Sequence, residues 1–278
     1  MGELSHEPVM RGSRRMGSAV DFKSDPRTKR YKPRAIVCLK DLLVEAGSLL
    51  GERSKMFGYV VGRRFVTFGS CFATNVAATL GNRGATVFTN CITEDVNSPF
   101  NNRLLLRRVF LGEHCPFIDT LGEMTGINFD EMGREFAAAT DVIFTLGNVF
   151  RLSGGDVSSK NGRPLERETY EETRGAIQDI LDLLAKHTRA RVFVSVSPVP
   201  ISGYRGTEYL SVYEADCASK CQLLTAVRSL EGFTYVPTFE IFRWFAAHQS
   251  FPTFGYDNGN QRHIFPDQIE GVIGLLIQ

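Results

Sequence analysis

The sequence predicts an α/β fold, a three-layer α/β/α sandwich built around a five-stranded parallel sheet. Five short runs rich in β-branched and aromatic residues alternate with longer helical patterns along the chain. One run, Asp141 to Leu146, is almost continuously apolar, which is typical of a parallel strand buried on both faces. With 278 residues, 43% of them hydrophobic, the chain is long enough for one large domain with a substantial core.

The elements are predicted from these periodicities and from the residues that bound them. In chain order, the predicted strands are Phe65–Phe68, Ala85–Asn90, Asp141–Leu146, Arg191–Val196 and Phe233–Val236. The predicted helices are Ala35–Leu50, Ala73–Gly81, Glu168–His187, Tyr213–Leu230, Phe239–His248 and Gln268–Ile277, with an amphipathic run from Leu104 to Val109. We expect a loop at Asn97–Asn102, irregular structure at Gly112–Phe136, and a polar lid or specificity loop at 153–164.

The first 34 residues differ from the rest of the chain. They carry basic runs such as Arg11 to Arg15, and they show no apolar periodicity. We therefore expect residues 1–34 to form a flexible or loosely docked arm. No repeat or convincing linker divides the remainder, so residues 35–278 are predicted to form a single α/β domain.

Charge and cysteine content narrow the classes of function. The formal net charge is +1, which gives no electrostatic reason to expect a nucleic-acid or membrane-surface partner. No apolar run approaches the roughly 20 residues that span a bilayer, and no secretory signal is visible, so we expect a cytoplasmic protein. The six cysteines include no C-x-x-C pair and the histidines are few, which predicts no metal site and no cofactor.

Ser70 marks the junction on which the functional interpretation depends. It follows the first predicted strand and Gly69, and it precedes the first helix after that strand. This position lies at the carboxyl edge of the sheet, where open α/β sheets bind ligands, and near the partly positive end of a helix. Serine is also a favoured helix N-cap, so a structural role is the alternative. A nucleophilic role requires a base and donors for an oxyanion.

His263 is the candidate base among the five histidines of the chain. It lies in a Gly- and Asn-rich loop before the last helix, and that loop can return to the edge that carries Ser70. His6 lies in the arm, and His187 ends a helix, where a cation suits the helix dipole. His114 and His248 have no chemically suggestive residues nearby in the sequence.

Further polar residues complete a candidate catalytic set. Gly147 and Asn148 follow the third strand, so they can supply an amide donor at the same edge. Asp257 and Asp267 flank His263, and a carboxylate can fix the tautomer of an imidazole and stabilise its protonated form. The alternatives are a cap or turn role for Asn148 and a turn role for Asp257, which precedes Asn-Gly.

Residues Gly69 to Ala73 read Gly-Ser-Cys-Phe-Ala, which resembles the signature of the GSCFA family. Other blocks resemble that family in the same order and extend the resemblance over roughly residues 60–278. They are Asn97–Phe100, Thr145–Gly147, Val196–Pro200, Asp216–Lys220, Tyr235–Glu240 and the terminal Asp/His loop.

The GSCFA family is similar to the SGNH hydrolases, which are related to the GDSL esterases and lipases. This resemblance implies a flavodoxin-like sheet with strand order 2-1-3-4-5. It implies that Ser70 is the nucleophile, that His263 is the base, and that Gly147 and Asn148 join the Ser70 amide in the oxyanion hole. The implied reaction is hydrolysis or transfer of an acyl ester, for which we expect an O-acyl group on a carbohydrate.

Two features depart from the SGNH pattern. Asn260 stands three residues before His263, where the family has an Asp, so either Asp257 substitutes or the site works as a dyad. Asn148 directly follows Gly147, whereas Gly-x-Asn is usual, and the remaining oxyanion-hole glycine is expected near 97–102. The alternatives are a non-catalytic carbohydrate- or nucleotide-binding relative and, less favoured, a thiol enzyme that uses Cys71.

Overall fold

The computed structural model describes residues 35–91, 97–152, 165–204, 206–255 and 261–278. Its strands are β1 (Arg64–Gly69), β2 (Thr86–Cys91), β3 (Asp141–Leu146), β4 (Phe150–Leu152), β5 (Leu165–Arg167), β6 (Arg191–Val196) and β7 (Thr234–Tyr235). Its α-helices are α1 (Leu39–Leu50), α2 (Cys71–Asn82), α3 (Pro99–Leu111), α4 (Pro116–Thr125), α5 (Phe129–Ala138), α6 (Tyr170–His187), α7 (Val212–Arg228) and α8 (Pro266–Gly274). The predicted arm, residues 1–34, and the loop at 153–164 lie outside the described residues.

Five of the strands form one parallel sheet in the order β2-β1-β3-β6-β7. Counted along the chain, this is the order 2-1-3-4-5 that the family resemblance implies. Gly69 at the end of β1 pairs with Thr145 of β3, and Thr145 pairs with Ser195 of β6. This register brings the carboxyl ends of three neighbouring strands together directly before Ser70.

Helices cover both faces of the sheet and produce two hydrophobic clusters. Alternate side chains of one strand enter opposite clusters, as the pleat requires: Phe68 and Phe144 belong to one, Phe65 and Ile143 to the other. The first cluster includes residues of α3, α4, α5, α6 and α7, whereas the second includes residues of α1, α2 and α8. The three-layer α/β/α prediction is therefore confirmed.

The segment from 97 to 136 is more helical than predicted. The expected loop at Asn97–Asn102 is short, because Ser98 caps α3 through its Oγ and Pro99 occupies the first turn. The expected irregular segment holds α4 and α5, which are separated by Gly126 in the left-handed conformation. Asn128 then caps α5 by accepting a hydrogen bond from the N–H of Glu131 at 3.0 Å.

Two other regions also differ from the prediction. The helix expected at Phe239–His248 is a π-helix over Glu240–Trp244 that continues as a 3₁₀-helix over Phe245–His248. The short strands β4 and β5 form an antiparallel pair that flanks residues 153–164. Among the described residues, no helix combines the length and the apolar character needed to cross a membrane.

Candidate active site

Ser70 is held in place by the glycine before it. Gly69 has φ of 104°, a left-handed conformation that favours glycine, and a Cβ at this position would collide with the carbonyl of Thr145. The close approach allows the N–H of Ser70 to donate to the Thr145 carbonyl at 2.8 Å. Ser70 is 3% exposed and occupies the N-cap position of α2.

The hydroxyl of Ser70 does not cap the helix. The side chain makes no capping hydrogen bond to α2, although it occupies the N-cap position. Its Oγ instead lies 2.7 Å from the Oγ1 of Thr145. The structural alternative, in which the serine side chain serves the helix terminus, is therefore not observed.

Ser70 lines a small pocket at the carboxyl ends of β1, β3 and β6, with room for about one water molecule. The pocket brings together three of the predicted site residues: Ser70, Gly147 and Asn148. Its lining residues are Ser70, Cys71, Asn97, Gly147, Asn148, Ser197, Val199 and Ile201.

Asn97 enters this pocket from the segment in which we expected an oxyanion-hole glycine. Its side chain packs over Gly147 so closely that a Cβ there would lie 2.7 Å from Asn97 Nδ2. Asn97 Oδ1 accepts a hydrogen bond from Asn102 Nδ2 at 3.0 Å, and its carbonyl accepts the N–H of Asn148 at 3.2 Å. The contribution of this segment to the pocket is thus an asparagine, which is 1% exposed.

Asn148 combines a turn role with a position in the pocket. Its Oδ1 accepts the N–H of Phe150 at 2.8 Å, a side-chain turn that fixes the orientation of the carboxamide. The residue is 5% exposed. The predicted turn role and the predicted site role are therefore compatible in this structure.

The N–H of Ser70 is engaged within the sheet. Besides the Thr145 carbonyl, it contacts Thr145 Oγ1 at 3.0 Å. We predicted this N–H as an oxyanion donor. That role requires the oxyanion to replace the Thr145 carbonyl as its partner.

The loop that carries His263 reaches the same edge of the sheet. Arg262 Nη1 donates to the carbonyl of Pro200 at 2.8 Å, and Pro200 lies between two pocket-lining residues. His263 is half-buried, and its carbonyl accepts the N–H of Gly255 at 3.0 Å. His263 is not among the described residues that line the pocket.

Of the two acidic residues that flank His263 in the sequence, the structure describes one. Asp267 lies exposed in the first turn of α8. Asp257 and Asn260 both lie outside the described residues. Asp257 as the partner of His263 therefore stays a prediction.

One face of α7 fixes the loops that form the pocket. Asp216, Ser219 and Lys220 lie on one side of the helix and are each no more than 3% exposed. Asp216 Oδ1 accepts the N–H of Ile201 at 3.1 Å, and Ser219 Oγ accepts the N–H of Val149 at 3.1 Å. Lys220 Nζ donates to the carbonyl of Gly147 at 2.5 Å. This face therefore ties the loops after β3 and β6 to one rigid element.

Glu168 is a buried carboxyl behind the same loops. Its Oε1 accepts the N–H of Phe100 at 3.1 Å, and its own N–H donates to the carbonyl of Val149 at 2.8 Å. Burial raises the pKa of Glu168, and the opposing effects of the Ser98 hydroxyl and the Phe100 N–H are smaller. The sequence predicts Glu168 as the first residue of a helix, whereas α6 begins two residues later, at Tyr170. Nothing in the neighbours of Glu168 distinguishes it from an ordinary first-turn glutamate.

Similarity to known proteins identifies the family of the chain. A model of the GSCFA family matches residues 118–273, which is more than half of the chain. The match includes Gly147, Asn148, Lys220 and His263, and it begins after the Gly69–Ala73 signature. No curated protein matches the chain.

Proposed function

Because the chain belongs to the GSCFA family and carries Ser70 at the carboxyl edge of its sheet, we propose that it is an SGNH-type serine hydrolase or acyltransferase. The proposed substrate is an ester, an O-acyl group on a carbohydrate. The observation that carries the proposal is the buried pocket that unites Ser70 with Gly147 and Asn148. A nucleophile beside amide groups at a sheet edge is the arrangement that acyl transfer requires.

In the proposed mechanism, His263 takes the proton of the Ser70 hydroxyl while Oγ forms a bond to the acyl carbonyl carbon. The carbonyl oxygen becomes an oxyanion, which Asn148 and backbone N–H groups of the pocket stabilise. Collapse of this intermediate breaks the bond to the leaving alcohol, which takes the proton from His263. Water or an acceptor hydroxyl then attacks the carbonyl carbon of the acyl-serine while His263 takes its proton. Collapse of this second intermediate breaks the bond between the acyl carbon and Oγ, His263 returns the proton to Oγ, and the acid or the new ester leaves.

Two observations support this assignment of roles. Ser70 occupies the N-cap position of α2, but its hydroxyl makes no capping hydrogen bond to the helix. The hydrogen bond from Arg262 to Pro200 anchors the residue next to His263 at the edge that holds the pocket. Catalytic hydrogen bonds are often long or poorly aligned before substrate binds, and they tighten only in the complex with substrate.

A second candidate function is a non-catalytic binding domain for a carbohydrate or nucleotide. The observation that favours it is that Thr145 engages both the hydroxyl and the N–H of Ser70. The asparagine at position 260 also removes the acid that would stabilise a protonated imidazole. In this alternative the fold keeps its ligand cleft, and Ser70 has no nucleophilic activity.

A panel of ester substrates tests the two candidates. O-acetylated saccharides and simple aryl esters are presented to the wild-type protein, Ser70→Ala and His263→Ala, each checked for folding by circular dichroism. We expect turnover by the wild type and a loss of at least about 1,000-fold in each variant. Equal turnover in all three proteins contradicts the hydrolase, and saccharide binding without turnover supports the binding domain.

A further inference from the structure

The hydroxyl of Thr145 makes two contacts with Ser70. Thr145 is fully buried on β3, and its Oγ1 lies 2.7 Å from Ser70 Oγ, the usual length of an O–H···O hydrogen bond. The same oxygen accepts the N–H of Ser70 at 3.0 Å. The backbone and the side chain of the candidate nucleophile are thus both held by one threonine.

The Thr145 hydroxyl has a single proton, which limits the ways in which it can hydrogen-bond to Ser70 Oγ. A threonine hydroxyl has one proton to donate and two lone pairs, one of which faces the Ser70 N–H. Its proton has three acceptors within reach: Ser70 Oγ at 2.7 Å, and the carbonyls of Phe68 and Ser70 at 3.4 Å each. Because 3.4 Å is long for an O–H···O bond, the geometry favours donation to Ser70 Oγ.

We propose that Thr145 is a positioning residue that donates its hydroxyl proton to Ser70 Oγ. This donation fixes the serine rotamer and leaves the serine's own proton for the base. The inference rests on the proposed function, in which Ser70 is the nucleophile. As the base removes the serine proton, Thr145 keeps its own proton and stabilises the negative charge that develops on Oγ.

A second hydroxyl pair in the sheet provides a matched control. Thr67 of β1 donates to Thr89 of β2 across neighbouring strands, with 2.9 Å between the two oxygens. Thr67 is as buried as Thr145, at 0% exposed, but its hydroxyl bonds another threonine instead of Ser70. Loss of this pair removes a buried hydroxyl and its hydrogen bond without touching the nucleophile.

The test measures the rate constant at which a fluorophosphonate phosphonylates the full-length protein. In this reaction Ser70 Oγ bonds to phosphorus, fluoride leaves, and the serine proton passes to the base. We compare the wild type with Thr145→Val, Thr145→Ala, Thr145→Ser and Thr67→Val, after checking each by thermal unfolding. Saturation with the reagent separates its affinity from the maximal rate constant.

We expect the maximal rate constant to fall about 10- to 100-fold in Thr145→Val and Thr145→Ala, since a hydrogen bond to a developing charge is lost. Thr145→Ser retains the hydroxyl and should react within about threefold of the wild type, as should Thr67→Val. Reagent affinity should change little in all four variants.

The outcomes separate this inference from the proposed function. If the wild type reacts and Thr145→Ala reacts equally fast, Thr145 has no positioning role, whereas Ser70 remains the nucleophile. A Thr145→Ser protein as slow as Thr145→Ala, or a Thr67→Val protein slowed equally, also overturns the inference. A wild type that does not react overturns the nucleophile and the positioning residue together.

Discussion

The two ends of strand β3 show how buried polar groups serve different purposes. At the amino end, Asp141 is fully buried, and its carboxylate forms ion pairs with Arg63 and Arg191. The hydroxyl of Thr140 donates a further hydrogen bond to it at 2.7 Å. At the carboxyl end, the neutral hydroxyl of Thr145 lies 2.7 Å from Ser70 Oγ, and Ser70, Gly147 and Asn148 line a pocket to which the described residues contribute no charged side chain.

The buried polar groups at the amino end of β3 therefore stabilise the fold, whereas those at its carboxyl end are placed to serve the proposed reaction. A buried carboxylate that forms ion pairs with two guanidinium groups already has its charge compensated. Removal of one of the partners leaves a charge without full compensation and destabilises the fold. Neutral donors around a pocket hold no compensating charge, so they can stabilise a charge that develops there. We therefore expect changes at the amino end to alter the free energy of unfolding, and changes at the carboxyl end to alter turnover.

Among the variants that compare the two ends of β3 and the loops beyond it, the largest effect is expected from Asn148→Ala. This variant removes the pocket carboxamide, and loss of one oxyanion donor lowers kcat by about 100- to 1000-fold. Ester turnover at saturating substrate measures the effect. Asn128→Ala is the control, because Asn128 caps α5 away from the pocket and its loss should affect stability alone. Unchanged kcat in Asn148→Ala would remove this residue from the oxyanion hole.

Asp141→Ala should produce the opposite pattern. Two partly exposed arginines lose their common partner, and we expect a loss of about 2–3 kcal/mol in the free energy of unfolding. Denaturant titration measures this loss, with kcat per folded molecule unchanged. Glu135→Ala, which removes only the solvent-exposed pair with Arg64, should cost far less. If Asp141→Ala lowers kcat without lowering the free energy of unfolding, the two ends of β3 do not differ in the way we expect.

Lys220→Met tests how the loop after β3 is held. Methionine fills a similar volume but gives the carbonyl of Gly147 no donor. We expect kcat to fall about tenfold, with a smaller change in KM, because the Gly147–Asn148 peptide is no longer fixed beside Ser70. Lys186→Met, at an exposed site in the last turn of α6, is the matched control. A rise in KM at constant kcat would instead assign Lys220 to uniform substrate binding.

The smallest effect is a pH dependence that Glu168→Gln should remove. Since burial raises the pKa of Glu168 in the fold above its ordinary value of 4.5, the folded state binds the proton more tightly than the unfolded state. The contribution of Glu168 to stability is therefore full below 4.5 and is lost as pH rises through the folded pKa. Urea titrations at pH values from below 4.5 upward should show that the free energy of unfolding of the wild type falls relative to that of Glu168→Gln. A difference that does not vary with pH would contradict the raised pKa.

Much of the architecture could be predicted from local pattern. The apolar run at 141–146 and the Gly69-Ser70 junction are local features, so they predicted the sheet and the position of Ser70. The helices α4 and α5 were missed although their signals were present: Pro116 opens α4, Gly126 ends it and Asn128 caps α5. The glycines and Pro116 are equally typical of irregular structure, so the local pattern does not decide between a loop and two short helices.

The supporting residues of the site could not be predicted in the same way. Lys220 and Glu168 act through partners more than 50 positions away in the sequence, and nothing local specifies those partners. Asn97 was anticipated only as part of a segment, since its close packing over Gly147 depends on the tertiary fold. The contact between Thr145 and Ser70 likewise depends on the register of β1 against β3.

The central claim is that Ser70 is a nucleophile, and mapping the site of a covalent adduct tests it most directly. The wild-type protein is treated with a fluorophosphonate, digested and sequenced by tandem mass spectrometry. We expect one adduct per chain, on Ser70, which disappears in Ser70→Ala and forms much more slowly in His263→Ala. A folded wild-type protein without an adduct, or with the adduct on another residue, would contradict it.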